Sequence, residues 1–449
     1  MKGFTIRDAA EACGGTMIGQ FDPQTELGQI VIDSRKLAPG DLFAAYRGEH
    51  TDGHVYIGAA LRQGAACCLV EYLREGDSGP LLLVPQVQRA VEQIAAAYRR
   101  RLTLPIIGVT GSVGKTSAKE MLSAVLGSRF KVLKTEGNLN NQIGVPMTLS
   151  RIEPEYEAAV VEMGISGFGE MDHLAQMVRP SIGVFTVIGH AHLEFLHDLE
   201  GVLRAKTEML RHMDEDAVIV VNGDDPLLAS LQCKQRKVTV GLGESCQVRA
   251  SEISMDPVNG LQCVISWENR QIPVTVPAFG RHIVYAALEA AAVGMLMGLS
   301  DEEIAAGMLT FENVGHRAAV TDTGFLTLID DSYNANPNSV KCGIDSLMAL
   351  PGRHLCILGD MLELGEESPA MHRDVGAYAA AKGVDEVWSY GELGACFCEG
   401  AGEKGRLFPS REALLAALPK DLREGDAVLV KASKGMRFWE IAEAVKELR

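Results

Sequence analysis

The fold is decided by the stretch Ile106-Ile107-Gly108-Val109-Thr110-Gly111-Ser112-Val113-Gly114-Lys115-Thr116-Ser117. In it, an apolar strand runs into a glycine-rich loop that ends in Gly-Lys-Thr. Glycines let backbone N–H groups close around phosphate oxygens, and the N-terminus of the following helix favours negative charge. The stretch therefore predicts an α/β domain that binds a nucleoside triphosphate.

Each position of this loop has an expected role in holding phosphate. Lys115 supplies a point charge, Thr116 supplies a hydroxyl for Mg²⁺, and the other positions supply backbone N–H groups. Val109 stands where the strict GxxxxGK[ST] pattern has its first glycine, so a plain glycine turn is the alternative interpretation. The order of two glycines, lysine and threonine favours the phosphate loop. The predicted nucleotide-binding residues are Gly111, Ser112, Val113, Gly114, Lys115, Thr116 and Ser117.

Composition limits the partners of the chain. Its 449 residues, 47% of them hydrophobic, are enough for about three domains. A formal charge of −17 disfavours a nucleic-acid surface and favours a small phosphorylated ligand. The charged N-terminus and the lack of an apolar run of about 18 residues predict neither a signal peptide nor a membrane span. With ten scattered cysteines and no CxxC pair, we expect a cytoplasmic monomer.

Strands and helices alternate along the chain, which predicts an α/β protein of three domains. Residues 1–103 form a small N-terminal domain, residues 104–318 a central domain with a mostly parallel sheet, and residues 319–449 a Rossmann-like C-terminal domain. The central domain includes a predicted strand at Val184–Ile188 and an antiparallel segment at 246–278. Such sheets bind ligands at the carboxyl ends of their strands, so we expect the functional residues there.

A carboxylate and a histidine follow two strands of the central domain. Glu162 ends one apolar strand, and His192 follows the next one along the chain. A carboxylate on an apolar element needs a cation, and these two residues with Thr116 suit one or two Mg²⁺ ions that bridge phosphates. A surface carboxylate at a strand end is the alternative. His190 and His197 would instead indicate zinc, but no second cluster completes such a site.

Lys206 lies inside the apolar stripe of a predicted helix, Leu199–His212. It follows Val202 and Leu203 by four and three residues, which is the spacing of one helix face. A lysine that reaches along the surface to solvent is the alternative. If the amine is buried, its pKa falls, and the neutral amine can capture CO₂ as a carbamate and become an anionic metal ligand.

Two polar segments also follow predicted strands. Asn138, Asn140 and Asn141 are packed between glycines, which indicates either a plain turn or a loop that binds a polar substrate. The segment around Asp331 follows a strand and opens a helix, with more polar groups than capping needs. Asp331 is a candidate for binding the ribose hydroxyls of a nucleotide.

These motifs together resemble the Mur ligases of peptidoglycan synthesis over nearly the whole chain. The resemblance is specific, because the motifs occur in the order of the family. They are Thr110–Thr116, Gly137–Pro146, Glu162-Met163-Gly164, Gly189–Glu194, Ala205–Glu208, Asp331–Pro337, Leu358–Gly365 and Val430–Met436, preceded by Asp33-Ser34-Arg35, Pro39–Phe43 and Asp52-Gly53-His54.

The resemblance implies a UDP-binding N-terminal domain, a central ATPase domain and a C-terminal domain that contacts dipeptide and nucleotide. The implied activity joins D-alanyl-D-alanine to UDP-N-acetylmuramoyl-tripeptide with ATP, through an acyl phosphate. Lys115, Arg317 and Mg²⁺ would hold the γ-phosphate. The implied metal ligands, for two Mg²⁺ ions, are Thr116, Glu162, His192 and Lys206, the last as its CO₂ carbamate. The implied substrate-binding residues are Ser34, Arg35, Asn138, Asn140, Asn141, Asn334, Asn336 and Ser433, with Asp331 on the ATP ribose.

The sequence departs from the family at three positions. Ile283 and Ala286 replace two asparagines that relatives often carry after Gly280-Arg281-His282, and Ala319 replaces a glutamate. The alternatives are a related Mur-type amino-acid ligase, folylpolyglutamate synthetase, and a nucleotide-responsive binding module without catalysis. The Asp-Asn-Pro-Arg string of the ligase that adds the third residue is absent, and the lysine and metal residues remain, so we expect an active ligase.

Overall fold

The computed structural model describes residues 1–48, 51–256, 259–280 and 282–448. In it the chain forms three β-sheets, of five, nine and six strands. Their strands follow one another along the chain without exchange between sheets. The predicted three-domain α/β architecture is confirmed, while the boundaries at 103 and 318 stay predictions. Arg281, part of the motif before the replaced asparagines, lies outside the described residues.

The first sheet has the strand order β1-β5-β4-β3-β2, with only the β1 edge antiparallel among the described strands. Short helices and 3-10 turns connect its strands. The elements are β1 (Thr16–Ile18), β2 (Ile30–Val31), β3 (Leu42–Ala44), β4 (Cys67–Val70), β5 (Leu81–Leu83), α1 (Ile6–Cys13), α2 (Ile57–Arg62), α3 (Val87–Arg99) and the 3-10 turns Ser34–Lys36 and Gly53–Tyr56.

The second sheet is parallel from β6 to the beginning of β12 and ends in an antiparallel hairpin extension. Its strands are β6 (Ile106–Thr110), β7 (Val132–Lys134), β8 (Ala158–Glu162), β9 (Ile182–Phe185), β10 (Val218–Asn222), β11 (Arg236–Gly241), β12 (Val248–Asp256), β13 (Gly260–Trp267) and β14 (Arg270–Val276). Its helices are α4 (Lys115–Gly127), α5 (Gly144–Ser150), α6 (Glu170–Val178), α7 (Leu193–Leu196), α8 (Leu199–Thr207), α9 (Pro226–Ala229), α10 (His282–Leu296) and α11 (Asp301–Leu309), with a 3-10 turn at Glu208–His212.

Strand order brings the predicted site residues to one edge of this sheet. The order is β14-β13-β12-β11-β10-β9-β6-β8-β7, so β6 lies between β8 and β9. All three strands are parallel. Their carboxyl ends therefore carry the phosphate loop, Glu162 and the segment that leads to His192 to the same side.

The third sheet has the order β15-β16-β20-β17-β18-β19 and is parallel except for β15. Its strands are β15 (Ala319–Asp322), β16 (Thr327–Asp330), β17 (His354–Gly359), β18 (Glu386–Tyr390), β19 (Gly405–Leu407) and β20 (Ala427–Lys431). Its helices are α12 (Pro337–Leu347), α13 (Ser368–Lys382), α14 (Gly394–Ala401), α15 (Arg411–Asp421) and α16 (Trp439–Lys446), with 3-10 turns at Gly365–Glu367, Gly402–Lys404 and Lys434–Met436.

Apolar clusters cover both faces of the central sheet, and one of them joins it to the N-terminal domain. One cluster is shared with the N-terminal domain and continues from α1 and α3 to the α6 side of the sheet. There the Ile30 amide donates to the Ser150 hydroxyl over 3.0 Å. The other cluster packs α4, α10 and α11 against the opposite face. The sheet is thus buried on both sides, as a parallel sheet requires.

Local differences from the sequence-based prediction are small. The helix expected at Leu199–His212 is α-helical only to Thr207 and continues as a 3-10 turn. The strand expected at Val184–Ile188 runs instead from Ile182 to Phe185. The antiparallel segment expected at 246–278 is confirmed as β12 to β14. Across the part of the chain that the structure describes, no helix combines the length and apolar character needed to cross a bilayer.

Candidate active site

A cavity of about 410 Å³ opens at the carboxyl edge of the central sheet, facing the C-terminal domain. Both domains contribute to its walls. Of the predicted site residues, those that line it are Ser112, Val113, Gly114, Lys115, Thr116, Ser117, Asn138, Asn140, Asn141, Glu162, His192, Arg317, Asp331, Asn334 and Asn336. Residues brought together from distant parts of the sequence therefore share one chamber.

The phosphate loop is shaped by two glycines with positive φ. Gly111 has φ +151, and a Cβ there would stand 1.9 Å from the Thr186 hydroxyl oxygen, so no side chain fits. Gly114, with φ +84, precedes the first turn of α4. The Lys115 amine donates to the Gly111 carbonyl over 2.7 Å. Burial lowers the pKa of this amine. The loop is a preformed anion cradle with a half-buried lysine folded over it.

Glu162 is held at the centre of a polar network although it is 1% exposed. The Thr116 hydroxyl donates to its Oε2 over 3.0 Å, and the Asn140 amide donates to its Oε1 over 2.8 Å. The ammonium of Lys119, which is fully buried, lies 3.8 Å from Oε2 of Glu162 and 3.0 Å from Oε1 of Glu120. Residues from two separate segments, α4 and the loop that holds Asn140, thus fix the carboxylate beside the phosphate loop.

His192 precedes α7 with a left-handed backbone, φ 56. Its Nδ1 lies 2.6 Å from Oε2 of Glu363, which comes from the C-terminal domain. Burial lowers the pKa of the imidazole, which favours the neutral ring. His190 instead faces Asn338, with 3.1 Å between ring nitrogen and amide oxygen.

The zinc interpretation gains no support from the residues that the structure describes. Among those residues, the one group of three or more His, Cys, Asp or Glu side chains whose ligand atoms all lie within 4.8 Å of one another is His316, Asp330 and Glu443. The Lys446 ammonium lies 3.1 Å from Asp330 and 2.8 Å from Glu443. This group is a salt-bridge network, because a lysine already neutralises its carboxylates.

Lys206 lies on the buried side of α8 and is 1% exposed. Burial, with a further contribution from the charge of Lys115, lowers its pKa well below the usual value for lysine, and Glu170 opposes the shift. Lys206 is not among the residues that line the cavity, but Lys115 and Glu170 are. A buried amine with a lowered pKa therefore lies within the electrostatic influence of two residues that line the cavity, Lys115 and Glu170.

Arg317 and Asp331 come from the junction between the central and C-terminal domains. The Arg317 guanidinium lies over the Tyr333 ring, 3.9 Å from its centroid. Asp331 accepts from the Ala318 amide over 3.1 Å and pairs with Lys431, which is 2% exposed. Both predicted residues face the cavity, and each is already oriented by a neighbour.

The remaining predicted contacts have partners of their own. The Asn336 side chain caps α12 by accepting from the Ser339 amide over 2.8 Å. The Ser433 hydroxyl is buried, accepts from the Leu362 amide over 2.9 Å and does not line the cavity. Their local structural roles explain these residue types, so their contact with substrate stays a prediction.

Ser34 and Arg35 lie in the N-terminal domain and do not line this cavity. The Arg35 side chain is 87% exposed and pairs with both oxygens of Asp33. Ile283 and Ala286, which replace the expected asparagines, are buried in the apolar cluster of α10.

Four residues of the site were not predicted from the sequence. Glu363 and Lys119 contact predicted metal ligands, and Tyr333 and Lys431 orient Arg317 and Asp331. Glu363 lay within a family motif without an assigned role. Lys119 lies one helical turn after Lys115, which places the two on one face of α4; this spacing was the available signal.

A phosphate loop, a buried carboxylate, a buried lysine and a third domain that closes the cavity define a nucleotide-dependent ligase. The chain belongs to the Mur ligase family. The profile of the Mur ligase middle domain matches residues 109–294, that of the glutamate ligase domain residues 316–434, and that of the Mur ligase family catalytic domain residues 26–105.

Relatives from several bacteria are similar over their full length. The UDP-N-acetylmuramoyl-tripeptide–D-alanyl-D-alanine ligase of Bacillus subtilis is 36% identical over 99% of this chain and 98% of its own. The crystal structure of MurF from Acinetobacter baumannii superposes with a TM-score of 0.91 at 29% identity, covering 99% of both chains. The crystal structure of MurF from Thermotoga maritima in complex with ADP superposes with a TM-score of 0.83 at 26% identity, covering 94% of this chain and 97% of that one.

Proposed function

We propose that this protein uses ATP to join D-alanyl-D-alanine to UDP-N-acetylmuramoyl-tripeptide, giving the pentapeptide, ADP and phosphate. Full-length similarity to ligases of that name supports the substrates. The observation that carries the proposal is that the phosphate loop, Glu162 and Arg317 line one cavity between two domains. An ATP-dependent carboxylate–amine ligase needs this arrangement, since phosphate, carboxylate and amine must meet away from water.

The reaction has two balanced steps. The terminal carboxylate of the tripeptide attacks the γ-phosphorus of ATP, the bond to the β-phosphate oxygen breaks, and ADP and an acyl phosphate form. The dipeptide amine then attacks the acyl carbon, phosphate leaves, and the amine loses a proton. Lys115 and Arg317 carry the positive charges that stabilise the transferring phosphoryl group.

The residues around Glu162 fit a hard cation. Glu162 and Thr116 present carboxylate and hydroxyl oxygens, which Mg²⁺ prefers, while the Thr116 hydroxyl and the Asn140 amide nitrogen orient the carboxylate. Thr116 would hold one ion, and Glu162 and His192 a second. When bound, Mg²⁺ neutralises phosphate charge.

We further assign Lys206 as a carbamate. Its neutral amine nitrogen would bond to the carbon of CO₂ and release a proton, which places a negative charge near the metals. Lys206→Ala should lose most activity and keep its fold, and a short carboxylic acid should partly restore turnover. Lys206→Arg should stay inactive, because a guanidinium cannot take up CO₂. Fully active enzyme whose intact mass, measured in saturating bicarbonate under native conditions, lacks the carbamate would refute the assignment.

The other substrate contacts are assigned by region. Ser34 and Arg35 would bind the UDP group, Asn138 and Asn141 the peptide, and the predicted residues of the C-terminal domain the dipeptide. Asp331 would bind the ribose of ATP. The predicted location is the cytoplasm, since the reaction consumes ATP.

The test measures phosphate release with and without tripeptide substrate and dipeptide. Wild type should release phosphate in step with ligation and only when acceptor is present. Lys115→Ala should lose both, a loss of several kcal/mol of transition-state stabilisation, while binding of the UDP substrate survives in the other domain. Lys234→Ala, whose side chain is 79% exposed, is the matched control. A binding module without catalysis would bind ATP and release no phosphate, and ligation by Lys115→Ala at a tenth of the wild-type rate would refute the assignment of the phosphate loop.

A further inference from the structure

The contact between His192 and Glu363 joins two domains at the edge of the cavity. The Glu363 carboxylate lies 2.6 Å from Nδ1 of the imidazole, and the two residues are 171 positions apart in sequence. Both have a left-handed backbone, with φ 56 at His192 and φ 62 at Glu363. A residue other than glycine is strained in this conformation, so the surroundings hold both residues in it.

The loop that carries Glu363 is fastened on either side. The Met361 amide donates to Nε2 of His372 over 2.9 Å, and the Leu362 amide donates to the Ser433 hydroxyl over 2.9 Å. After Glu363, the turn at Gly365 approaches the backbone of Glu194, and α7 packs against this turn. These contacts fix the backbone of the loop, and so they hold the Glu363 carboxylate beside His192.

We propose that Glu363 is a positioning residue that orients His192 for a divalent cation and so couples cation binding to docking of the C-terminal domain. This inference rests on the proposed function, which makes His192 a metal ligand. A carboxylate 2.6 Å from Nδ1 favours the tautomer that carries the proton on Nδ1, which leaves Nε2 as a lone-pair donor for the cation. Because Glu363 belongs to the other domain, the cation binds tightest when the two domains are together.

The experiment titrates Mn²⁺ into the full-length protein with a non-hydrolysable ATP analogue and follows free Mn²⁺ by electron paramagnetic resonance. Two classes of Mn²⁺-binding site are expected in the wild type. The first class is the ion at Thr116, and the second class is the ion at His192. Glu363→Ala should weaken the second class about tenfold, the lower end of what removing such a carboxylate costs, and leave the first class and the affinity for the analogue unchanged. The Mn²⁺ affinity of Glu363→Gln at the second class should lie between those of wild type and Glu363→Ala, since glutamine keeps an oxygen acceptor without the charge. Glu366→Gln, exposed on the adjoining turn, is the matched control.

A double-mutant cycle separates this inference from the proposed function. In a His192→Ala background, Glu363→Ala should have no further effect, because the carboxylate acts through the imidazole. If His192→Ala itself leaves both Mn²⁺ classes unchanged, the metal assignment fails, and the inference with it. If His192→Ala weakens the second class and Glu363→Ala does not, or if the two effects add independently, the positioning role alone is overturned.

Discussion

Glu289 should make the stability of the central domain fall as pH rises. This residue is 1% exposed in the middle of α10, which packs against α4 and α11. Its Oε1 has no hydrogen-bond partner among the described residues. Burial raises the pKa of the carboxyl from 4.5 to about 8. The folded protein therefore keeps the Glu289 proton at neutral pH, while the unfolded chain loses it near pH 4.5.

The sign and size of the change in the free energy of unfolding with pH follow from proton linkage. Between pH 4.5 and about 8 the folded state binds more protons at Glu289 than the unfolded state, so the free energy of unfolding decreases with pH. The slope approaches 1.4 kcal/mol per pH unit, which gives a loss of about 3 kcal/mol between pH 5 and pH 7. Glu289→Gln keeps the shape and removes the titration, so the variant should gain this amount relative to wild type.

Hydrogen exchange of peptides from α10 measures the difference locally. At each pH the intrinsic exchange rates of the two proteins are nearly equal, so the protection ratio of Glu289→Gln to wild type reports the change in opening free energy. The ratio should rise about 100-fold from pH 5 to pH 7. Glu11→Gln, on an exposed position of α1, should give a flat ratio. Parallel pH profiles for wild type and Glu289→Gln would refute the reasoning.

Three further predictions concern the nucleotide site. Gly111→Ala should abolish binding of an ATP analogue in calorimetry, because its Cβ meets the Thr186 hydroxyl at 1.9 Å; Gly127→Ala, with open space at its Cβ, should bind normally. Lys119→Met should lower the free energy of unfolding by about 3 kcal/mol, since it leaves the buried Glu162 carboxylate without its neighbouring ammonium while Glu120 keeps Lys134, and unchanged melting relative to Lys234→Met would contradict this. ATP should be preferred over GTP by less than in relatives with both asparagines, a difference of about 1–3 kcal/mol from one base contact. A large preference that Ala286→Asn does not alter in competition binding would show that another residue reads the base.

Much of the fold follows from local sequence signals. The strand, glycine loop and helix at 106–127 are specified within one short stretch, and the alternation of elements predicts three α/β domains. Local signals do not determine where a helix or strand ends when no glycine or proline terminates it. The helix that carries Lys206 tightens into a 3-10 turn at Glu208, where the Glu208 carboxylate accepts from the backbone amides of Gly169 and Asp172, a tertiary contact invisible in sequence.

The site shows the same division. Glu162 and Lys206 are recognisable because a charge on an apolar element conflicts with its surroundings. Glu363 carries no such conflict, since an acidic residue in an exposed loop is ordinary. Its place beside His192 depends on how two domains dock, which neither periodicity nor spacing encodes.

The existing hydrogen bonds of Asp331 determine whether this side chain can also bind ATP. One carboxylate oxygen of Asp331 accepts from the Ala318 amide and the other pairs with Lys431. An ionised carboxylate has about four lone-pair sites, so each oxygen keeps capacity for a ribose hydroxyl without giving up its present partner. Lys431 also donates to the Asn334 carbonyl over 2.9 Å, which ties the ribose contact to the segment proposed for the dipeptide. With Asp331 on the ribose and Asn334 near the dipeptide, as proposed, both ligands would be held by one connected part of the C-terminal domain, while the phosphate loop and Glu162 belong to the central domain. Catalysis requires the two parts to meet, and this is the physical reason why the ligase divides its site between domains.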